Sequence, residues 1–188
     1  EARFTGISKD IDAPHAINSH SVHSLLYDDS EILWIGTYNG GVNYFKFGYK
    51  GFHHITNNNS NLNNPYVLDI SEDSDQNVWI GTENGLSVFT PDLKSCDNYF
   101  FVNHNKDRRP GNVVRNVCID NRGNIWVSAY DEGLARFNPD TRTIEMYSNI
   151  NNQLNFENNN YLHSLIQIKD DILALGLSNS VEILDIKK

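Results

Sequence analysis

Few residues in this chain have the types and spacing that chemistry requires. Asp73-Ser-Asp75-Gln-Asn77 starts as a calcium loop does, but neither the Gly nor the closing Glu follows at the offsets such a loop needs. His53 and His54 are adjacent, so on a strand they point to opposite faces and cannot hold one metal from one side. Cys96 and Cys118 lack CxxC spacing, which indicates neither a zinc site nor a redox motif. Cys118, inside the apolar run 113–119, reads as a small buried hydrophobe, and Cys96 as a residue at a surface turn. No paired carboxylates, Ser-His-Asp order or phosphate-cradling Gly loop is legible, so no catalytic residue, metal or cofactor is expected.

A second polar set is more suggestive, because its members recur at matching offsets. His23, Leu68, Arg115 and His163 each follow the first apolar residue of a short alternating run, and Ser24, Asp69, Asn116 and Ser164 come next. Further along each unit, Tyr38, Glu83 and Tyr130 precede a turn. If the runs line a common axis, His23, Asp69, Arg115, Asn116 and His163 ring its mouth, and Tyr38, Glu83 and Tyr130 lie on the rim beside them. Aromatic rings beside amides, imidazoles and carboxylates suit the faces and hydroxyls of sugars. A solvated channel wall and ordinary surface loops would use the same residues.

The elements that position this set come from an internal repeat. Asn77-Val-Trp-Ile-Gly-Thr-Glu-Asn-Gly-Leu86 returns as Ile32-Leu-Trp-Ile-Gly-Thr-Tyr-Asn-Gly-Gly-Val42 and as Asn124-Ile-Trp-Val-Ser-Ala-Tyr-Asp-Glu-Gly-Leu134. All three tryptophans, Trp34, Trp79 and Trp126, take the same place. A worn fourth copy, Ile172 to Val181, has Ala174 there, with Gly176 aligned to Gly36 and Gly81. Each copy reads as a hairpin, a turn carrying Asn or Gly, a third strand and, in the first three, a fourth. The fold class is therefore all-β, a β-propeller of about four blades of four antiparallel strands.

The blades fall at roughly 8–56, 57–103, 104–148 and 149–188, the last completed by residues 1–7 as its outer strand. The assembly is either a small closed ring or an arc of a larger wheel. The alternation buries Trp34, Trp79 and Trp126 between blades; Gly36 and Gly81 allow close approach of sheets; Gly40, Gly85 and Gly133 supply positive φ in turns.

Composition excludes some partners. The chain has 188 residues, with 15 Lys and Arg against 24 Asp and Glu, a net charge of −9. That charge opposes general attraction to nucleic acid or anionic membrane. No window approaches the ~20 apolar residues that span a bilayer, and Glu1 to Gly6 do not have a signal-peptide layout.

The segment 77–86, with an Asp shortly before it and Phe89-Thr-Pro-Asp92 after, resembles the two-component regulator propeller repeat. The resemblance implies a periplasmic sensor region of a Bacteroides-type hybrid two-component system that detects glycan-derived oligosaccharides, with a histidine kinase elsewhere in the receptor. It also implies neighbouring propeller blades as partners. Open sheet edges add homo-oligomerisation as an expectation. A structural or protein-interaction propeller without a small ligand, and a propeller enzyme, are the competing readings.

Overall fold

A computed structural model describes residues 6, 15–48, 51–100, 112–129, 133–147 and 162–187. It holds four antiparallel sheets, each built from consecutive strands in sequence order. The first comprises β1 (Val22–Tyr27), β2 (Ile32–Thr37), β3 (Gly41–Lys46) and β4 (His53–Ile55). The second comprises β5 (Val67–Glu72), β6 (Val78–Thr82), β7 (Gly85–Phe89) and β8 (Cys96–Tyr99). The third comprises β9 (Val114–Ile119), β10 (Ile125–Ala129), β11 (Gly133–Asn138) and β12 (Thr143–Met146). The fourth has three strands among the described residues, β13 (Leu162–Lys169), β14 (Ile172–Leu177) and β15 (Val181–Asp185). The segment 1–7, expected as that sheet's outer strand, lies almost wholly outside the described residues.

The sheets stack face to face, and the core is the three layers between them. Trp34, Val42 and Ile55 of the first sheet meet Val67, Ile70, Ile80 and Phe89 of the second. Trp79 and Leu86 meet Val114, Val117, Val127 and Phe137. Trp126 and Leu134 meet Leu162, Leu173 and Leu175. The indoles are the largest members of these layers and none is more than 4% exposed. In the second sheet, covered on both faces, β6 is buried along its whole length. A β-propeller architecture follows: twisted sheets packed side by side, with the innermost strands β1, β5, β9 and β13 next to one another.

The first hairpin of each of the first three sheets closes around an aspartate. Asp28 Oδ1 accepts the N–H groups of Ser30 and Ile32, and Oδ2 accepts Trp34 Nε1–H at 2.7 Å. Asp73 does the same for Asp75, Asn77 and Trp79. Asp120 repeats it for Arg122, Asn124 and Trp126. Glu31, Gln76 and Gly123 hold the same left-handed position in these turns, at φ of 63°, 63° and 79°. One carboxylate thus fixes the turn and satisfies a buried indole N–H, which would otherwise be desolvated without a partner. In the fourth sheet both members are replaced together: Ala174 stands for the tryptophan and Ile168 for the aspartate six residues before it.

Gly36 and Gly81 have the expected role. A Cβ on Gly81 would stand 2.7 Å from the Val114 carbonyl oxygen, and one on Gly36 would press on Ser24 and Val67. Gly85 and Gly133 adopt positive φ as expected, but Gly40 does not. In the first sheet Asn39 and Gly41 take the left-handed positions, because this turn is one residue longer than that of the second sheet, while Gly40 fits beneath Asn18. Cys96 opens β8 just after the β7–β8 turn, half-buried against the first layer. Burial raises its thiol pKa to about 11.

Among the described residues the stack leaves two unlike faces uncovered. On the first sheet, Val22, Leu25, Tyr27 and Phe47 are exposed, with Leu25 at 64%, although Ile17 and Phe52 fold over Ile35. On the fourth sheet, Ile166, Ile168, Val181 and Ile183 are exposed, with Val181 at 71%.

Candidate functional site

Each innermost strand begins with a β-bulge. The pairing skips from Val22 to Ser24, from Val67 to Asp69 and from Leu162 to Ser164, and in the third sheet from Val114 to Asn116. The skipped residues are His23, Leu68, Arg115 and His163. A bulge turns two neighbours apart and re-aims the extra side chain, and here it separates the two halves of the polar set.

The residues after the bulge turn inward, between sheets. Asp69 Oδ2 accepts the N–H of Val117 in the third sheet at 2.9 Å, while Oδ1 accepts its own Ile70 N–H. Burial pushes its carboxyl up to about 6, although these two hydrogen bonds pull the other way. Asn116 is taken up with Ser128, accepting from the hydroxyl at 3.0 Å while its own N–H donates to that oxygen at 2.9 Å. Asp69 thus ties the second sheet to the third, and Asn116 ties β9 to β10.

The bulged residues meet the β2–β3 turn or its counterpart. The His23 ring stacks on Tyr38, with centroids 5.4 Å apart and planes 20° from parallel. His163 Nε2 lies 3.0 Å from Ser178 Oγ in the β14–β15 turn. Arg115 is the bulged residue of β9, and Tyr130, expected beside it, lies outside the described residues.

Tyr38 is the centre of the best-formed part of this rim. Its ring tilts against Tyr66, 4.6 Å between centroids, so the first and second sheets touch here through aromatic side chains. The Glu83 carboxylate raises the Tyr38 phenol above its ordinary range by charge, followed by burial, the neighbouring Tyr66 phenol and a direct hydrogen bond to Glu83. The structure thus brings together His23, Tyr38 and Glu83, three residues expected from sequence, and adds Tyr66. That residue was missed because it sits in the linker before β5; its signal was its place directly ahead of the repeat's first apolar position.

The linkers make this rim rigid. Asn18 Nδ2 donates to the Gly40 carbonyl at 2.7 Å, and Asn63, one repeat later, donates to that of Asn84 at 3.1 Å. The Tyr38 N–H donates to Ser21 O and the Glu83 N–H to Tyr66 O. Side chains on so tethered a backbone are pre-positioned, which reduces the ordering cost of binding.

A cavity of about 370 Å³ lies away from this rim, at the outer wall between the second and third sheets. Trp79, Tyr99, Asp73, Asp75, Asp97 and Pro139 are among its lining residues. Asp73 there is already committed to Trp79, Asn77 and Asp75, which leaves it no calcium role. His53 stacks on Tyr44 while His54 Nδ1 meets Asn43 Oδ1 at 2.9 Å, so the two imidazoles do diverge. Among the described residues no group of three His, Cys, Asp or Glu is placed to hold a metal ion.

The profile of the two component regulator propeller matches residues 16–39, 61–84 and 109–131, each spanning a linker, an innermost strand and a tryptophan strand. These are two component regulator propeller repeats. The propeller repeats of this chain are 30% identical, over 90 residues, to histidine kinase P4 of Formosa agariphila, a match that covers 46% of this chain and 7% of that protein. In three dimensions the repeats are similar to the extracellular domain of a hybrid two component system of B. thetaiotaomicron, with a TM-score of 0.76 and 25% identity over 97% of this chain and 23% of that one. A second such extracellular domain from the same organism superimposes with a TM-score of 0.72 at 19% identity, covering 94% and 22% of the two chains, a likeness of fold. The propeller repeats here span about a quarter of the length of those structures. No helix among the described residues is long and apolar enough to cross a membrane.

Proposed function

We propose that this chain is a sensory segment in the periplasmic region of a hybrid two-component receptor, and that its bulged rim binds a glycan-derived oligosaccharide. The repeats, and the likeness to extracellular domains of such systems, support the receptor setting. In that setting a histidine kinase belongs to another part of the receptor, and this segment carries no catalysis. The observation that carries the ligand reading is Tyr38, held between His23, Tyr66 and Glu83 across a sheet boundary and still 41% exposed. Ring faces stack on the C–H faces of a pyranose, and an adjacent carboxylate and imidazole accept or donate to its hydroxyls. Because Tyr38 and His23 belong to the first sheet and Tyr66 and Glu83 to the second, a sugar gripping all four would favour one packing of the two sheets over others.

Thermal unfolding against a panel of neutral and acidic di- to hexasaccharides tests this. A saturable, ligand-specific rise in Tm that disappears in Tyr38→Ala, with the variant's own Tm unchanged, is the expected result. Silence across the panel sinks the ligand reading and leaves a propeller that docks proteins.

A further inference from the structure

We infer that the joint between the second and third sheets is a hinge, pinned at its rim end and free to part at its turn end, so that the chain moves as two pairs of sheets. This joint lies inside the stack, between two sheets of four strands each. It differs from its neighbours at one recurrent position. Glu72, Ile119 and Gln167 stand at the same place near the end of their innermost strands, paired with Val78, Ile125 and Leu173. Glu72 Oε2 reaches into the first sheet and accepts the Asp29 N–H at 3.1 Å. Gln167 Oε1 reaches into the third and accepts the Asn121 N–H at 2.9 Å, while its amide donates back to Asn121 Oδ1 at 3.0 Å. Asp29 and Asn121 each follow their turn aspartate, and Ser74 holds that place in the second sheet. Ile119, packed in the layer between the second and third sheets, offers the Ser74 N–H no acceptor. The turn end of this joint therefore lacks the rung that both neighbouring joints have.

The pin lies at the other end. Asp69 links the second sheet to the Val117 N–H of the third, and Gly81 lets the Val114 backbone approach closely. At Asp69's place in the flanking joints, Ser24 Oγ has no partner among the described residues, and Asn116 bonds Ser128 of its own sheet. The turn end is also where volume is free. Ser74 and Thr90 of the second sheet and Gly123 and Pro139 of the third line the cavity of about 370 Å³. Of the three equivalent indole bonds, those of Trp34 and Trp126 are buried, whereas that of Trp79 is only part-buried beside this cavity. Across the outer wall Arg142 lies over the Tyr99 ring at 5.6 Å, a cation–π pair that costs little to part at an exposed site. Few polar ties and free volume lower the cost of local opening. Parting here divides the rim, because His23, Tyr38, Tyr66 and Glu83 travel with the first pair of sheets, and Arg115 and His163 with the second.

Hydrogen exchange at the three indole N–H groups tests the hinge, since each has the same carboxylate partner and each reports a different joint. The Trp79 N–H should exchange on the order of tenfold faster than those of Trp34 and Trp126, with a urea dependence above zero but below that of global unfolding. Ile119→Gln supplies the missing acceptor and should slow Trp79 about fivefold, the worth of one net hydrogen bond, while Trp34 keeps its rate. Gln167→Ile removes the rung of the last joint and should speed Trp126 by a similar factor. Equal rates at all three indoles, or exchange led by Trp34 or Trp126, overturns the hinge. Trp79 exchange that ignores urea means static access through the cavity and overturns it as well. An unaltered Trp79 rate in a folded Ile119→Gln variant overturns the role of the missing rung. If either variant fails to fold, the order and urea dependence of the three indoles in the unaltered chain decide alone. No saccharide takes part, so the outcome is separate from that of the Tm panel.

Discussion

Asp120 Oδ2 accepts Trp126 Nε1–H at 2.9 Å inside the third sheet, and the same oxygen accepts Asn124 Nδ2–H at 2.8 Å. Burial alone would raise this carboxyl. The hydrogen bonds from Trp126, Asn124 and Arg122 outweigh it and hold Asp120 below the ordinary carboxylate range. A depressed folded pKa adds stability that is present above the unfolded value near 3.8 and is lost as pH falls through the folded one. The pairing is therefore both a turn lock and an acid-labile one.

The equivalent lock in the second sheet gives a direct stability test. Asp73→Ala strands the Trp79 indole N–H and frees the Asp75 and Asn77 amides. A loss of about 2 kcal/mol is expected in urea unfolding, as for hydrogen bonds to a charged partner. Asp73→Asn should cost less, since its amide oxygen still accepts.

Asp69 predicts the opposite pH slope. Its folded pKa, raised to about 6 by burial, exceeds the unfolded value. Its favourable contribution is complete below pH ~4 and declines as pH rises through 6. Unfolding free energies at pH 4.5 and 7.5 should show a falling component on the order of 1–3 kcal/mol that Asp69→Asn removes. Persistence of that component in the variant would assign it to another group.

Close approach at the tryptophan strands is testable at two glycines. In Gly81→Ala the new Cβ meets the Val114 backbone oxygen, which cannot move without shifting β9, so a loss of about 1–3 kcal/mol is expected. In Gly176→Ala the obstacle is the Ser164 hydroxyl, free to rotate away, and the effect should stay below ~1 kcal/mol. Equal costs would refute the assigned packing.

The rim geometry can be read spectroscopically without a ligand. Glu83→Gln removes the charge that, ahead of burial, holds the Tyr38 phenol up. The Tyr38 resonance in a pH titration should move toward the ordinary tyrosine value, and Tyr66 should remain in contact. An unmoved Tyr38 would mean that Glu83 does not face it.

Most of the architecture was legible from the period. Tryptophan strands announce themselves because the ring, the following Ile or Val and the Gly recur together, and sheets covered on both sides leave little freedom in what may stand there. Asp28, Asp73 and Asp120 were also within reach, each six residues before a tryptophan. His23, Tyr38 and Glu83 were found because polar residues at recurrent positions stand out. The hydrogen bonds of Asp69 and Asn116 were not legible because bulges carry no residue signature, and one skipped pairing changes which way the next side chain turns. Gly40 failed for a related reason: one extra residue in a turn moves the left-handed position along the chain.

Those skipped pairings have a consequence for how such a protein can change. They separate adjacent positions into two inheritances: the first, His23, Leu68, Arg115 or His163, takes three residue types in four sheets, while the second serves the interior through bonds such as Asp69 to Val117. A bulge position can thus change its residue type along the rim while the hydrogen bonds that tie the sheets together stay as they are.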